Sequence, residues 1–237
     1  MTNKVTFYDT TMRDGEQTIG VNFSVEEKIA IAKGLDDYGV SAIEAGFPAA
    51  SQKDFEAVKS IAEVVNKAKV VGLARLVRND INAVIEATKG AKQPMIHVFI
   101  ATSPVHREFK LHLTKEEILD KIKADVTFTK QHIQDIVFSP EDATRTEPDF
   151  LVASVQTAID AGATMINIPD TVGYDTPEEF LKIYVEILLV LTQLVGQHIR
   201  ITIWEWLRQM PWQALRMVQR KFKAQLTESA SVLVTLT

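Results

Sequence analysis

The residues best suited to chemistry open the chain. Tyr8 to Gln17 reads Y-D-T-T-M-R-D-G-E-Q and directly follows a short apolar alternation, Val5 and Phe7. An acid, two hydroxyls, an arginine, a second acid, a glycine and a glutamine thus stand where a first β-strand would end. In a parallel α/β barrel that is where chemistry is done. Asp14 would serve as a hard oxygen ligand for a divalent ion, and Arg13 would stabilise an oxyanion or enolate. Gly15 would allow a sharp turn directly after them. The same two residues also read as a local surface ion pair, which is worth little.

Four more polar clusters lie behind apolar runs. Glu44 ends the otherwise apolar strand A-I-E-A-G-F-P; acids in buried strands are rare unless paired, so it is either a site residue or a buried partner for Arg13 or Arg75. His97 precedes the loop Thr102-Ser103-Pro104-Val105-His106, and reads equally as a satisfied structural histidine or an acid–base group; His106 and His112 are weaker candidates. Ser139-Pro140-Glu141-Asp142-Ala143-Thr144-Arg145 offers polar groups for a small anionic substrate, and also the turn formers of an ordinary loop. Asn167 and Thr171, in N-I-P-D-T-V-G-Y, could reach inward from a turn.

These clusters need elements to position them. Short β-branched runs alternate with longer amphipathic ones. Strands are expected at Val5–Tyr8, Ser41–Phe47, Lys69–Leu73, Met95–Ala101, Gln134–Phe138 and Thr164–Ile168. Helices are expected from the N-cap Ser24 to about Tyr38, Gln52–Val65, Asn79–Thr88, the capping box Thr114/Glu117 to about His132, Asp149–Ala161, and from the capping box Thr176/Glu179 past Tyr184. Six βα units in series imply a parallel sheet with right-handed crossovers. A doubly wound sheet concentrates its site at a switch point. Polar clusters behind five of the six strands instead favour a (β/α)8 barrel, of which six units are three quarters.

Composition bounds the rest. The chain is 46% apolar and 24% charged, with net charge −5, which argues against a nucleic-acid surface. It has no cysteine, so a metal would need His, Asp, Glu or Asn. The start, Met1 to Lys4, carries no signal core, and Ile187–Val195 is too short to span a bilayer. The protein is expected to be cytoplasmic, with no membrane partner.

Taken together, D-T-T-M-R-D-G-E-Q, I-E-A-G-F-P, G-L-A-R, I-H-V-F-I-A-T-S, S-P-E-D-A-T-R and N-I-P-D-T-V-G-Y resemble, in order, the 2-isopropylmalate synthase family, over roughly residues 4–184. The broader group also holds homocitrate synthase, citramalate synthase and hydroxymethylglutaryl-CoA lyase. The resemblance implies a TIM barrel that condenses acetyl-CoA with 3-methyl-2-oxobutanoate in leucine biosynthesis, around a divalent cation (Mg, Mn or Zn). It implies Asp14 as metal ligand, Arg13, Gln17 and Glu141 as catalytic residues, and Arg13, Glu44, His97, Ser139, Asn167 and Thr171 against the substrate. It also implies a homodimer for the intact relative. A citramalate or homocitrate synthase, or a related lyase, is the alternative within the group.

The pattern stops after about residue 188. The family's H-x-H-N-D strand, whose two histidines bind the metal from one face, and its later G-x-N-G-x-G-E-R segment are absent. From residue 191 six basic residues stand against two acids, a balance of +4 in a chain of net charge −5, so residues 1–190 carry −9. All three tryptophans, Trp204, Trp206 and Trp212, lie there. This basic, Trp-rich tail reads as a closing helix or as a partner-binding segment of a non-catalytic protein. Alternatively it is an out-of-frame product: shifting the codons of residues 198–235 permits H-T-H-N-D-L-G-M-A and I-N-G-I-G-E-R. The chain is expected to divide into a partial barrel, 1–190, and an atypical tail, 191–237, with an open sheet edge where strands seven and eight belong and little activity of its own.

Overall fold

A computed structural model describes residues 6–173, 175–176, 179–180, 182–183, 200–203 and 231–236. Strands β1 (Thr6–Asp9), β2 (Ala42–Gly46), β3 (Lys69–Arg75), β4 (Pro94–Ala101), β5 (Asp135–Glu141) and β6 (Met165–Ile168) pair in parallel, each with the next. Helices α1 (Val25–Tyr38), α2 (Gln52–Val64), α3 (Arg78–Ala87), the single turn α4 (Pro104–His106), α5 (Lys115–Lys130) and α6 (Pro148–Asp160) alternate with them. The six expected strands and the helices that follow the first five are therefore present, with end shifts of at most three residues. The expected open edge is not. Arg200–Ile203 (β7) pairs with β6, Ser231–Leu236 (β8) pairs with β7 and with β1, and the eight strands close into a barrel. Backbone ladders need no particular side chains, so a segment outside the family pattern can complete the sheet. The predicted helix beyond Tyr184 and the Trp-rich segment lie outside the described residues.

Local sequence sets the helix starts. Ser24 and Glu27, and Thr114 and Glu117, each exchange both capping-box hydrogen bonds. Thr176 and Glu179 make the same reciprocal contacts. Gly39, at φ 93°, ends α1 in the left-handed conformation that glycine tolerates. Strand β5 runs three residues beyond the expected Phe138. Past that point it pairs with β4 alone, as Phe99 to Ser139 and Ala101 to Glu141. Pro140 therefore removes no ladder donor that β6 requires.

Alternation along the strands builds the interior. Tyr8, Ala42, Val71, Met95, Val137 and Met165 form one buried cluster inside the barrel. Their strand neighbours Ile43, Val70, Ile96, Ile136 and Ile166 face out and pack in separate clusters with the helices. Two residues further along each strand, the inward positions become Glu44, Leu73, His97, Ser139 and Asn167. An apolar floor thus carries a polar layer nearer the C-terminal mouth.

The loops around that mouth are tied together. Arg107 meets Glu147 with both terminal nitrogens, at 2.8 and 2.7 Å, and lies over the Phe150 ring at 5.0 Å. Lys115 adds a third contact to Glu147 at 3.0 Å. The Arg107 bonds push the Glu147 carboxyl down to about 2.

The packing can be tested at two points. A Cβ at Gly72 would sit 2.8 Å from Val84 Cγ1, so Gly72→Ala should lower stability by about 1–3 kcal/mol in a denaturant titration. Adding Val84→Ala to that variant should recover part of the loss; no loss at Gly72→Ala would contradict the close β3–α3 contact. A carboxyl depressed in the folded state stabilises above its unfolded pKa of about 4.3 and loses that contribution as pH falls through its folded value. The melting temperature of Glu147→Gln should therefore lie below wild type above about pH 5, and the gap should close toward pH 2. A gap independent of pH would count against the ion pair.

Candidate functional site

The polar layer is one continuous hydrogen-bonded chain. Arg13 Nε donates to Glu44 Oε2 at 2.7 Å, and Arg13 Nη1 meets Asp14 Oδ1 at 2.9 Å. His97 Nδ1 lies 2.7 Å from Glu44 Oε1, and His97 Nε2 lies 2.6 Å from Ser139 Oγ. Asn167 Nδ2 donates to Ser139 Oγ at 2.8 Å. Four strands contribute one residue each, and the turn after β1 contributes two, Arg13 and Asp14.

The charge on Glu44 sets the proton positions. Burial raises its pKa, but Arg13 and then His97 outweigh that and hold it below the usual carboxylate range. An ionised carboxylate only accepts, so His97 Nδ1 donates to it. In the neutral ring Nε2 is then the acceptor, and Ser139 donates its hydroxyl proton there. Tyr8 also donates to Glu44 Oε1, at 3.3 Å. Its phenol is pushed well above its ordinary pKa, by burial first and then by the Glu44 charge.

The loop after β1 is held from outside as well. Glu16 accepts from Phe23 N–H at 3.1 Å and pairs with Lys28 Nζ at 2.6 Å. Lys28, whose side chain is 1% exposed, also approaches Asp54 of α2 at 3.4 Å. The Arg13–Asp14 turn is therefore fastened to α1 and α2 on one side and to the barrel interior on the other.

The structure brings Arg13, Asp14, Glu44, His97, Ser139 and Asn167 together. Of the two partners considered for Glu44, it uses Arg13, while Arg75 pairs with Asp80 at 2.6 Å. Glu141 sits above Ser139 at the end of β5, held by Lys110 at 2.8 Å. Thr171 is exposed, and its Oγ1 accepts from the Asp142 backbone N–H at 2.9 Å, joining the loops after β5 and β6. Gln17 is exposed on the short 3-10 turn Gly15–Gln17, outside the chain of contacts. The run from Ser139 to Arg145 divides. Ser139 faces the layer, whereas Asp142 accepts from Arg145 at 2.7 Å and Thr144 donates to Asp170 at 3.2 Å as loop supports. His106 approaches Asp142 at 3.6 Å, and His112 is exposed at φ 54°.

Tyr8 is the member that sequence reasoning missed. Its place two residues before Thr10, on an alternating strand, was the available signal. Its contact with Glu44 depends on packing across the barrel interior. Thr10 Oγ1 and Asn167 Oδ1 are buried with no hydrogen-bond partner among the described residues. Such atoms mark a place that a polar ligand or water satisfies.

A divalent cation fits this donor set poorly. Among the described residues no three His, Cys, Asp or Glu side chains are grouped to hold a metal ion. Asp14 is engaged by Arg13, Glu44 is engaged by three partners, and strand β7, R-I-T-I, contains no His, Asp, Glu or Asn.

Comparison with known proteins agrees with this architecture. The HMGL-like family model matches residues 4–201. A 2-isopropylmalate synthase of Streptococcus gallolyticus is 62% identical over 181 residues, 76% of this chain and 35% of that protein. One from Staphylococcus epidermidis is 53% identical over 201 residues, 85% of this chain and 39% of that protein. The chain thus spans little more than a third of the curated relatives it matches. Solved structures of hydroxymethylglutaryl-CoA lyase from Bacillus subtilis and Pseudomonas aeruginosa superpose with TM-scores of 0.71 and 0.73 at 17% and 15% identity, covering 99% and 98% of this chain and 77% and 76% of theirs. At those identities they show the fold, a TIM barrel. The match over most of its length, on the barrel just described, places the chain in the HMGL-like family.

Proposed function

We propose that this chain is the N-terminal barrel region of an acyltransferase of the 2-isopropylmalate synthase type, one that joins acetyl-CoA to 3-methyl-2-oxobutanoate in leucine biosynthesis, and that the polypeptide as it stands turns over this pair little or not at all. The observation that carries the reading is the polar layer itself. Five side chains from five separate segments converge one step below the mouth, and they belong to a segment 62% identical to a protein of that name.

In this reading Arg13 presents a fixed cation to the carboxylate or ketone oxygen of the oxo acid, its aim set by Glu44 and Asp14. His97, Ser139 and Asn167 line the pocket beneath. Glu141 stands at the rim as the candidate proton acceptor for the acetyl methyl, with Gln17 and Thr171 further out. Binding and orientation are what these residues supply. The metal that the family reading calls for would polarise the ketone, and the described donors do not assemble a site for it. Asp14 alone holds a hard cation weakly, since such sites rely on several ligands. The division near residue 190, with an out-of-frame tail, belongs to the same reading; the nucleotide sequence of residues 184–235 tests it.

The direct test supplies purified full-length chain with acetyl-CoA, 3-methyl-2-oxobutanoate and Mg²⁺, Mn²⁺ or Zn²⁺, and quantifies 2-isopropylmalate by mass spectrometry. Lewis-acid stabilisation worth several kcal/mol sets the expected deficit at about 10³-fold or more against the Streptococcus gallolyticus relative. Product formation at a comparable rate would overturn the proposal of an inactive chain. Product from another 2-oxo acid alone would redirect it to citramalate or homocitrate synthesis.

A further inference from the structure

Three members of the polar layer stand in a line. Glu44, His97 and Ser139 come from β2, β4 and β5, with Glu44 Oε1 2.7 Å from His97 Nδ1 and His97 Nε2 2.6 Å from Ser139 Oγ. We propose that they form an acid–histidine–serine relay that makes Ser139 a nucleophile toward short-chain activated acyl esters and thioesters. Such a relay is recognised by geometry and roles rather than by fold or chain order.

Each role is filled. Arg13 balances the Glu44 carboxylate at 2.7 Å, so the acid stays ionised and orients the ring without taking its proton. The ring then offers Nε2 to the serine hydroxyl, at a distance suited to proton transfer. Asn167 Nδ2, 2.8 Å from Ser139 Oγ, is the amide donor nearest the carbonyl oxygen of an attacked ester. The same amide carries a buried oxygen without a partner among the described residues, as expected where a ligand completes the bonding. Depth sets the size of the acyl group. Ser139 lies two residues below Glu141, the end of β5, or about 7 Å at the rise of a strand. Beneath it lie Met95 and Val137 of the apolar floor. Ser139 is 3% exposed, so the acyl group suited to this relay is one of a few carbons, with a bulky leaving group left at the mouth.

The chemistry balances without metal or redox partner. Ser139 Oγ attacks the acyl carbon, and its proton passes to His97 Nε2. The C–O or C–S bond breaks, and the departing alcohol or thiol takes that proton from His97. Water then attacks the acyl-serine with His97 as base, the Oγ–carbon bond breaks, and the proton returns to Oγ. The sum is ester plus water giving acid plus alcohol or thiol. Nothing here depends on the oxo-acid reading, and the two fail separately.

The test uses the full chain and a fluorophosphonate, which a relay serine attacks with loss of fluoride. Intact mass and peptide mapping should show one adduct, on Ser139, absent in Ser139→Ala and slowed about 10²- to 10⁴-fold in His97→Gln, while Ser103→Ala labels at the wild-type rate. Should His97→Gln unfold by circular dichroism, the wild-type protein still decides. With p-nitrophenyl acetate it should release a burst of about one equivalent of p-nitrophenolate, with the acetyl group trapped on Ser139 after acid quench. No adduct and no burst on folded protein, an adduct on another residue, or labelling unchanged in folded His97→Gln would overturn the relay.

Discussion

The pairing of Arg13 with Glu44 is the interaction on which the rest of the site depends. A carboxylate with no exposed surface, at the centre of a barrel, costs several kcal/mol unless a charge and hydrogen bonds offset it. Here Arg13, Tyr8 and His97 all converge on the two oxygens of Glu44. That need has structural consequences in both directions. It draws the turn after β1 over the barrel mouth, which brings Asp14 with it. It also fixes the His97 ring, which fixes Ser139, which receives Asn167. The order of the layer therefore propagates from one buried charge.

Fold and metal chemistry separate in this molecule. Closing the barrel requires two backbones in the seventh and eighth strand positions, and Arg200–Ile203 and Ser231–Leu236 supply them. Holding a cation requires donor side chains at defined positions, and R-I-T-I presents no imidazole or carboxylate. A sheet accepts many sequences, whereas a coordination sphere accepts few. The first six strands are thus enough for an organised polar interior, whatever side chains the closing strands carry.

The sequence disclosed the frame of this arrangement more fully than its details. Alternation and capping boxes located six strands and the helices between them, because residues such as Ser24 and Thr114 announce a helix start chemically. Acids and amides in apolar strands marked Glu44 and Asn167, since such residues need partners. The end of β5 was hidden, because Ser139-Pro140-Glu141 reads as a turn until the one-sided pairing with β4 is known. The choice of Arg13 over Arg75 for Glu44 was hidden too, as it depends on where the turn after β1 folds. Closure by the tail was illegible for a deeper reason: ladder hydrogen bonding is nearly blind to side-chain identity.

The central claim is that an ionised, arginine-held Glu44 dictates the state of His97. Long-range proton–nitrogen correlation spectra of the full chain, labelled with ¹⁵N-histidine and assigned with a His97→Gln control, read this directly. The account predicts a neutral His97 ring carrying its proton on Nδ1, in a strong hydrogen bond that is lost in Glu44→Gln, with Nε2 unprotonated. A ring protonated on Nε2, or one averaging freely between tautomers, would contradict it.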